Sequence, residues 1–292
     1  MPLAEGPGLP MLAETGGEVA AARVIAALVP DDEPVEVVAG GLTGLMEVPH
    51  RAEGLARALL RAVGASTAVL TSDVVTSHLG ALAGCSGVVA AVGTGTVVLG
   101  IGPAGQVAKV DGWGYLLGDA GSGFDVGRQG LVAAMAAHDG RLETSLASAA
   151  RTRFGPLPEL PGRVYAEPEP VHVIASFARD VAAAARQGDG VALRIWDDAA
   201  AAVARAIGAA LRGAHLTGED RRVSFAGSLG RLDLLQERVV VRLEREAPPV
   251  TVVPPRAGAL DGAGLLLDAQ VRRKLGALVH VFQASGPATD TP

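Results

Sequence analysis

The chain has 292 residues, 49% of them hydrophobic and 19% charged, with a formal net charge of −6. The acidic balance argues against a nucleic-acid binder that displaces counterions, and the apolar content excludes a disordered chain. The single cysteine, Cys85, excludes an intramolecular disulfide framework and a cysteine-built zinc site.

In chain order, residues 18–28 have helical spacing, and 35–39 (VEVVA) read as a buried strand ending in Gly40-Gly41. Residues 52–63 form an amphipathic helix with Leu55, Ala58, Leu59 and Val63 on one side. A second strand over 67–71 ends in Ser72-Asp73, and a short helix runs from Val75 to Ala83. Strands alternating with helices predict parallel pairing. From residue 88 the pattern becomes a β-meander: strands 88–92, 97–101 and 106–111, with turns at 93–96 and 103–105. A glycine-heavy segment, 112–127, leads into a helix ending near Ala137. Helices are predicted over 142–152, 170–186, 190–212 and 231–246, with strands over 223–226 and 250–253. The Pro-rich stretch 155–170 reads as a surface loop, 257–274 as one closing helix and 284–292 as a frayed tail.

No charged residue occurs from Leu79 to Ala108, long enough to span a bilayer. Glycines at 80, 84, 87, 93, 95, 100, 102 and 105 favour instead a helix end followed by two buried strands. Residues 1–20 have no basic start and contain Glu5, Glu14 and Glu18, so no signal peptide is read. A soluble, cytoplasmic protein is the expectation.

Five segments could carry chemistry. Gly93-Thr94-Gly95-Thr96 joins two strands, and its amides and hydroxyls suit a polyphosphate; a plain hairpin turn is the alternative. The run from Asp111 to Gly123 holds two acids and two aromatics among its glycines. There Trp113 could wall a sugar ring or cap the core, and Asp119 could accept bonds from hydroxyls. Asp73 follows an apolar strand, a place where a carboxylate can take a proton from an incoming hydroxyl or merely cap a helix. Phe225 to Gly230 suits an adenine or ribose, and Arg256 to Gly264 opens the closing helix. There is no Walker A lysine motif and no G-x-S-x-G elbow, and the six histidines have no metal-ligand spacing.

In this order and spacing, the segments resemble the N-acetylglucosamine kinase-like proteins of the BadF/BadG/BcrA/BcrD ATPase family. The densest match is TSDVVTSHLGAL, GVVAAVGTGTVVLG and DGWGYLLGDAGSGFDVGR within 71–128. Ala185 to Asp189, Phe225 to Ser228 and Arg256 to Ala259 add to it. The resemblance implies a two-domain α/β actin-like ATPase (ribonuclease H-like) fold with mixed five-stranded sheets flanked by helices. Residues 1–84 would form the first domain and 85–292 the second, including the closing helix. It implies Asp73 as the catalytic carboxylate, also touching substrate, and Gly93, Thr94, Gly95 and Thr96 as a phosphate-binding hairpin. Thr96, Gly112, Trp113, Gly114 and Asp119 would contact the amino sugar. Gly188, Gly227, Ser228 and Ala259 would lie near the nucleotide. ATP and Mg²⁺ would be the cofactors, bound in a cleft between the domains, with a sugar as the other small-molecule partner. No nucleic acid or membrane partner is implied. The family often dimerises, though no apolar stripe in the sequence marks a homodimer interface.

Three departures stand out. The family's opening Asp-Gly-Gly-Gly-Thr-Lys-like hairpin, whose Asp helps hold Mg²⁺, is not in the sequence. That predicts a first domain short of about two strands, from a gene that begins upstream. The chain has no Asn, and Gly8 or Leu9 stands near the place of a sugar-binding Asn. Ala120 replaces the acidic residue usual between Asp119 and Gly121. The readings are therefore an amino-sugar kinase acting at the 6-hydroxyl, a non-catalytic sugar- or nucleotide-binding relative, or a BadF-type ATPase. No metal ligands are assigned. Cys85 alone cannot supply the thiolates of the cluster-bearing ATPases.

Overall fold

The computed structural model describes residues 4–6, 16–29, 34–246 and 249–284. In chain order the elements are α1 (Gly17–Ala26), β1 (Val37–Leu42), α2 (Ala52–Val63), β2 (Thr67–Ser72), α3 (Asp73–Leu82), β3 (Gly87–Val92), β4 (Thr96–Ile101) and β5 (Val107–Asp111). There follow α4 (Gly123–His138), α5 (Leu146–Phe154), α6 (Leu160–Ala166), α7 (Pro170–Ser176), α8 (Ala178–Arg186) and α9 (Gly190–Gly213). The last are β6 (Arg222–Ala226), α10 (Gly227–Gly230), α11 (Asp233–Glu246), β7 (Thr251–Val252), α12 (Ala259–Leu265), α13 (Ala269–Leu275) and β8 (His280–Gln283). The chain forms two compact units: residues 1–85 with 256–292, and residues 86–255.

In the first unit the sheet order is β1-β2-β8, with β1 parallel and β8 antiparallel to β2. β2 is flanked on both sides, and five of its six residues are buried, as a central strand requires. Helix α2 buries Leu55, Ala56, Leu59 and Leu60, residues one turn apart, and stops at Gly64 in the left-handed region. These side chains share a core with Ala21, Ala22, Leu42, Leu45 and Leu70.

In the second unit the order is β5-β4-β3-β6-β7. β3, β4 and β5 form the expected antiparallel meander, and β6 joins β3 in parallel. Burial of β3 and β4 accounts for the uncharged run 79–108, and among the described residues no helix is long and apolar enough to cross a membrane. The alanine-rich α9 packs Trp196, Val203 and Ile207 into this unit's core. It begins at Asp189, whose Oδ1 accepts from the Val191 and Ala192 amides while Oδ2 accepts from Ser145 N–H and from the Thr144 and Ser145 hydroxyls.

Burial works against ionisation of Asp189, but the hydrogen bonds from Ala192, Ser145 and Thr144 prevail and hold its pKa at about 2. A carboxylate with a depressed folded pKa stabilises the fold above the ordinary value, and that contribution fades as pH falls from about 4 towards 2. Asp189→Ala is expected to cost about 1–2 kcal/mol at pH 7, the range of a lost N-cap. Denaturant titration should show the gap between variant and parent closing over that acid window.

Several expectations change. The predicted closing helix is two helices, α12 and α13, broken where Asp268 caps α13 by accepting from Gln270 N–H. These helices belong to the first unit and not the second, because α12 packs against α3 and Ala257 N–H donates to the Gly80 carbonyl. The last strand is β8, not 250–253, of which only 251–252 is strand. The 155–170 stretch contains α6, and 170–186 divides at Phe177 into α7 and α8. The first sheet has three strands among the described residues, where the resemblance implied five and the absent hairpin about two fewer. Gly8, Leu9 and most of the expected tail lie outside the described residues.

Candidate active site

In the first unit β1 and β2 run parallel, with Leu42 opposite Ser72. Their carboxyl ends therefore deliver Thr43 and Asp73 side by side. The Thr43 hydroxyl donates to Asp73 Oδ2 at 2.7 Å. Oδ1 accepts from the Ser72 hydroxyl at 3.0 Å and from Val74 N–H at 2.8 Å. Ser72 occupies the cap position and Asp73 is the first helical residue, so Asp73 is not the cap of α3. Its carboxylate is half-buried and held by three donors, with lone pairs left for a further one. Thr43 went unread in the sequence because the strand was ended three residues too soon.

In the second unit the parallel register of β3 and β6 brings the turns that follow them together. Gly227 has φ +81°, and a Cβ there would overlap the Val92 carbonyl and lie 3.1 Å from Gly93 N. Only glycine suits that contact. The 93–96 turn closes through Gly93 N–H to the Gly95 carbonyl at 2.9 Å. It is tied to the start of α4 by Gly123 N–H to Gly93 O and Phe124 N–H to Thr94 O. None of its residues has positive φ, so it is not the alternating kind of anion nest. The amides of Thr94 and Gly95 nevertheless make no hydrogen bond to the described residues, and both are available to an anion.

Asp119 approaches this turn from the glycine-rich segment. Its Oδ1 accepts from Thr96 N–H at 3.1 Å, and a Cβ on Gly95 would lie 2.8 Å from its Oδ2. Burial, above all, raises the Asp119 pKa, the Asp111 charge adds to the rise, and Thr96 N–H and Lys109 oppose it. Thr96 is 2% exposed and its buried hydroxyl has no partner among the described residues, an arrangement that costs stability. Trp113 is 63% exposed and cannot be a core cap; Trp196 is the buried indole. The Lys109 ammonium sits 4.4 Å from the centre of the Trp113 ring.

The structure thus gathers Gly93, Thr94, Gly95, Thr96, Asp119 and Gly227, with exposed Ser228 on the next position. Gly112, Trp113 and Gly114 lie on the same segment as Asp119. Gly188 is placed apart from these contacts, in the α8–α9 turn, where a Cβ would meet nothing within 4 Å. Asp73 and Ala259 belong to the first unit, Ala259 exposed at the start of α12. No cluster of three or more His, Cys, Asp or Glu suited to a metal ion occurs among the described residues. A Mg²⁺ ion carried on a nucleotide needs only one or two carboxylates besides its phosphates and waters.

The model of the BadF/BadG/BcrA/BcrD ATPase family matches residues 20–265. An N-acetylmuramic acid/N-acetylglucosamine kinase of Clostridium acetobutylicum is 25% identical over 202 residues. That match covers 68% of this chain and 66% of the relative, just under two thirds of its length. Among solved structures, a proposed N-acetylglucosamine kinase of Chromobacterium violaceum superposes with a TM-score of 0.67 at 24% identity, covering 86% of each chain. A second proposed N-acetylglucosamine kinase, from Porphyromonas gingivalis, gives 0.63 at 19% identity, covering 87% of this chain and 84% of that one. A ROK family glucokinase of Streptomyces griseus, solved with glucose and AMPPNP, gives 0.54 at 16%, covering 87% and 88%. The fold is that of the actin-like sugar kinases.

Proposed function

The chain belongs to the BadF/BadG/BcrA/BcrD ATPase family, and from that premise we propose that it is an ATP-dependent kinase transferring phosphate to the 6-hydroxyl of an amino sugar such as N-acetylglucosamine. The observation that carries the reading is the meeting, at one end of the second sheet, of two free turn amides, the unpartnered Thr96 hydroxyl and the half-buried Asp119 carboxylate. The amides of Thr94 and Gly95 would hold phosphate oxygens, and Gly227 and Ser228 would border the nucleoside. Bound MgATP supplies the phosphoryl group and neutralises its charge. Thr96 and Asp119 would fix sugar hydroxyls, with the exposed Trp113 indole along the ring. Asp73, in the first unit, is assigned as the acceptor of the attacking hydroxyl's proton only through the family resemblance. Gly188 and Ala259 remain assigned to the nucleotide only through the family resemblance. Such catalysis is mostly positioning.

The test is ADP release by the full chain with MgATP and N-acetylglucosamine. Turnover should require the sugar and yield its 6-phosphate. Nucleotide binding without any sugar-dependent ADP release, across N-acetylglucosamine, glucosamine and N-acetylmuramic acid, would sink the kinase reading.

A further inference from the structure

The glycine-rich segment 111–121 is open and loop-like, yet it must hold Asp119 against the 93–96 turn. Its glycines offer no side chains for this; they contribute only backbone bonds, such as Gly118 N–H to the Gly114 carbonyl at 2.8 Å. The restraint comes from Asp111, at the end of β5. Its Oδ1 accepts from Gly112 N–H at 2.8 Å and from Asp119 N–H at 2.7 Å, and its Oδ2 accepts from Ala120 N–H at 3.1 Å. One carboxylate therefore ties the segment's first residue to its ninth and tenth. Both Asp111 and Asp119 are in the left-handed region, at φ +63° and +59°. Aspartate tolerates that region only at some cost, so the surroundings must impose it. Lys109 adds a second tie, donating to the Gly112 carbonyl at 3.3 Å beneath Trp113.

We propose that Asp111 is the positioning residue of this site: its carboxylate folds the segment back on itself and so aims the Asp119 carboxylate at Thr96. The proposal rests on the kinase reading only for its consequence in catalysis; the restraint itself is a property of the chain. Asp111 also faces Asp119 as a like charge and raises its pKa. The other charged group acting on Asp119 is Lys109, also of β5. From the start of α4, Asp125 accepts from Gly121 N–H and has Arg128 beside it.

Two substitutions in the full chain separate the effects. Asp111→Gly keeps the left-handed backbone accessible and removes all three bonds. Asp111→Asn suits the same backbone, keeps an oxygen for Gly112 and Asp119, and removes the charge. Amide hydrogen exchange is expected to be at least 10-fold faster at Asp119 and Ala120 in Asp111→Gly than in the parent; Asp111→Asn should largely restore protection at Asp119 but not at Ala120, whose N–H would face the new NH₂. The carbon-13 titration of the Asp119 carboxyl is expected to move to lower pH in Asp111→Asn. With N-acetylglucosamine as substrate, Asp111→Gly should raise KM about 10-fold or more, and Asp111→Asn should recover most of it. Unchanged exchange in Asp111→Gly, or an unmoved Asp119 titration in Asp111→Asn, would overturn the proposal. These two readouts need no turnover. A parent inert towards amino sugars would defeat the kinase reading and leave the Asp111 result standing or falling by itself.

Discussion

Asp73→Asn is expected to lower sugar-dependent ADP release by about 10²–10⁴-fold while nucleotide affinity stays within about twofold of the parent. The first figure is the usual contribution of a general base. The choice of asparagine follows from the local geometry. Asp73 Oδ1 accepts from the Ser72 hydroxyl and Val74 N–H, and an amide oxygen can keep both bonds. The Thr43 hydroxyl, now donating to Oδ2, can turn and accept from the new NH₂. The start of α3 is therefore preserved, and what is lost is the ability to take a proton. A purely structural Asp73 would behave differently, with Asp73→Asn retaining turnover within about threefold. That result would remove Asp73 from the mechanism without touching the phosphate-binding turn, because the turn belongs to the other unit. Binding of a non-hydrolysable nucleotide, measured calorimetrically, keeps the two functions apart.

The parts legible in the sequence were those whose pattern is local. The valine-rich strands β3 and β4, with glycines at their turn, declared a hairpin, and the helical spacing of 52–63 matched α2 residue for residue. What was not legible depends on distant partners. Gly40-Gly41 looks like a strand end, yet β1 continues to Leu42 because β2 supplies the ladder. That continuation is what places Thr43 beside Asp73. The short strand β8 carries little signal of its own and exists by pairing with β2, more than two hundred residues earlier. Asp111 and Asp119 could be noted as two acids in one glycine-rich run. Their division of labour appeared only once the backbone closed the loop between them. The return of the chain to the first unit after Pro255 is hidden for the same reason, since the small residues after Arg256 read equally well as a helix in either unit.

Gly262→Ala is expected to destabilise the first unit by about 3 kcal/mol or more, at the upper end of the cost of overpacking. The contact of α3 with α12 is made by backbone on backbone. A Cβ at Gly262 would overlap the Thr76 carbonyl and lie 2.6 Å from Gly80 N, and a Cβ at Gly80 would overlap the Gly258 carbonyl. Each helix thus presents a glycine to the other's main chain. No flexible side-chain end can swing aside, so one methyl group must push the helices apart. Val74, Val75, Leu79 and Leu82 of α3 are all buried, and that displacement would loosen their packing as well. Gly264→Ala is the control within the same helix, because a Cβ there meets nothing within 4 Å. Helix propensity alone should make that variant neutral or up to about 1 kcal/mol more stable. Chemical denaturation should therefore show a lowered midpoint for Gly262→Ala and an unchanged or raised one for Gly264→Ala. An unchanged midpoint for Gly262→Ala would mean that α3 and α12 do not touch in this way. If the midpoint falls as expected, sugar-dependent turnover should fall with it even in the folded fraction, because α3 carries Asp73 on its first residue.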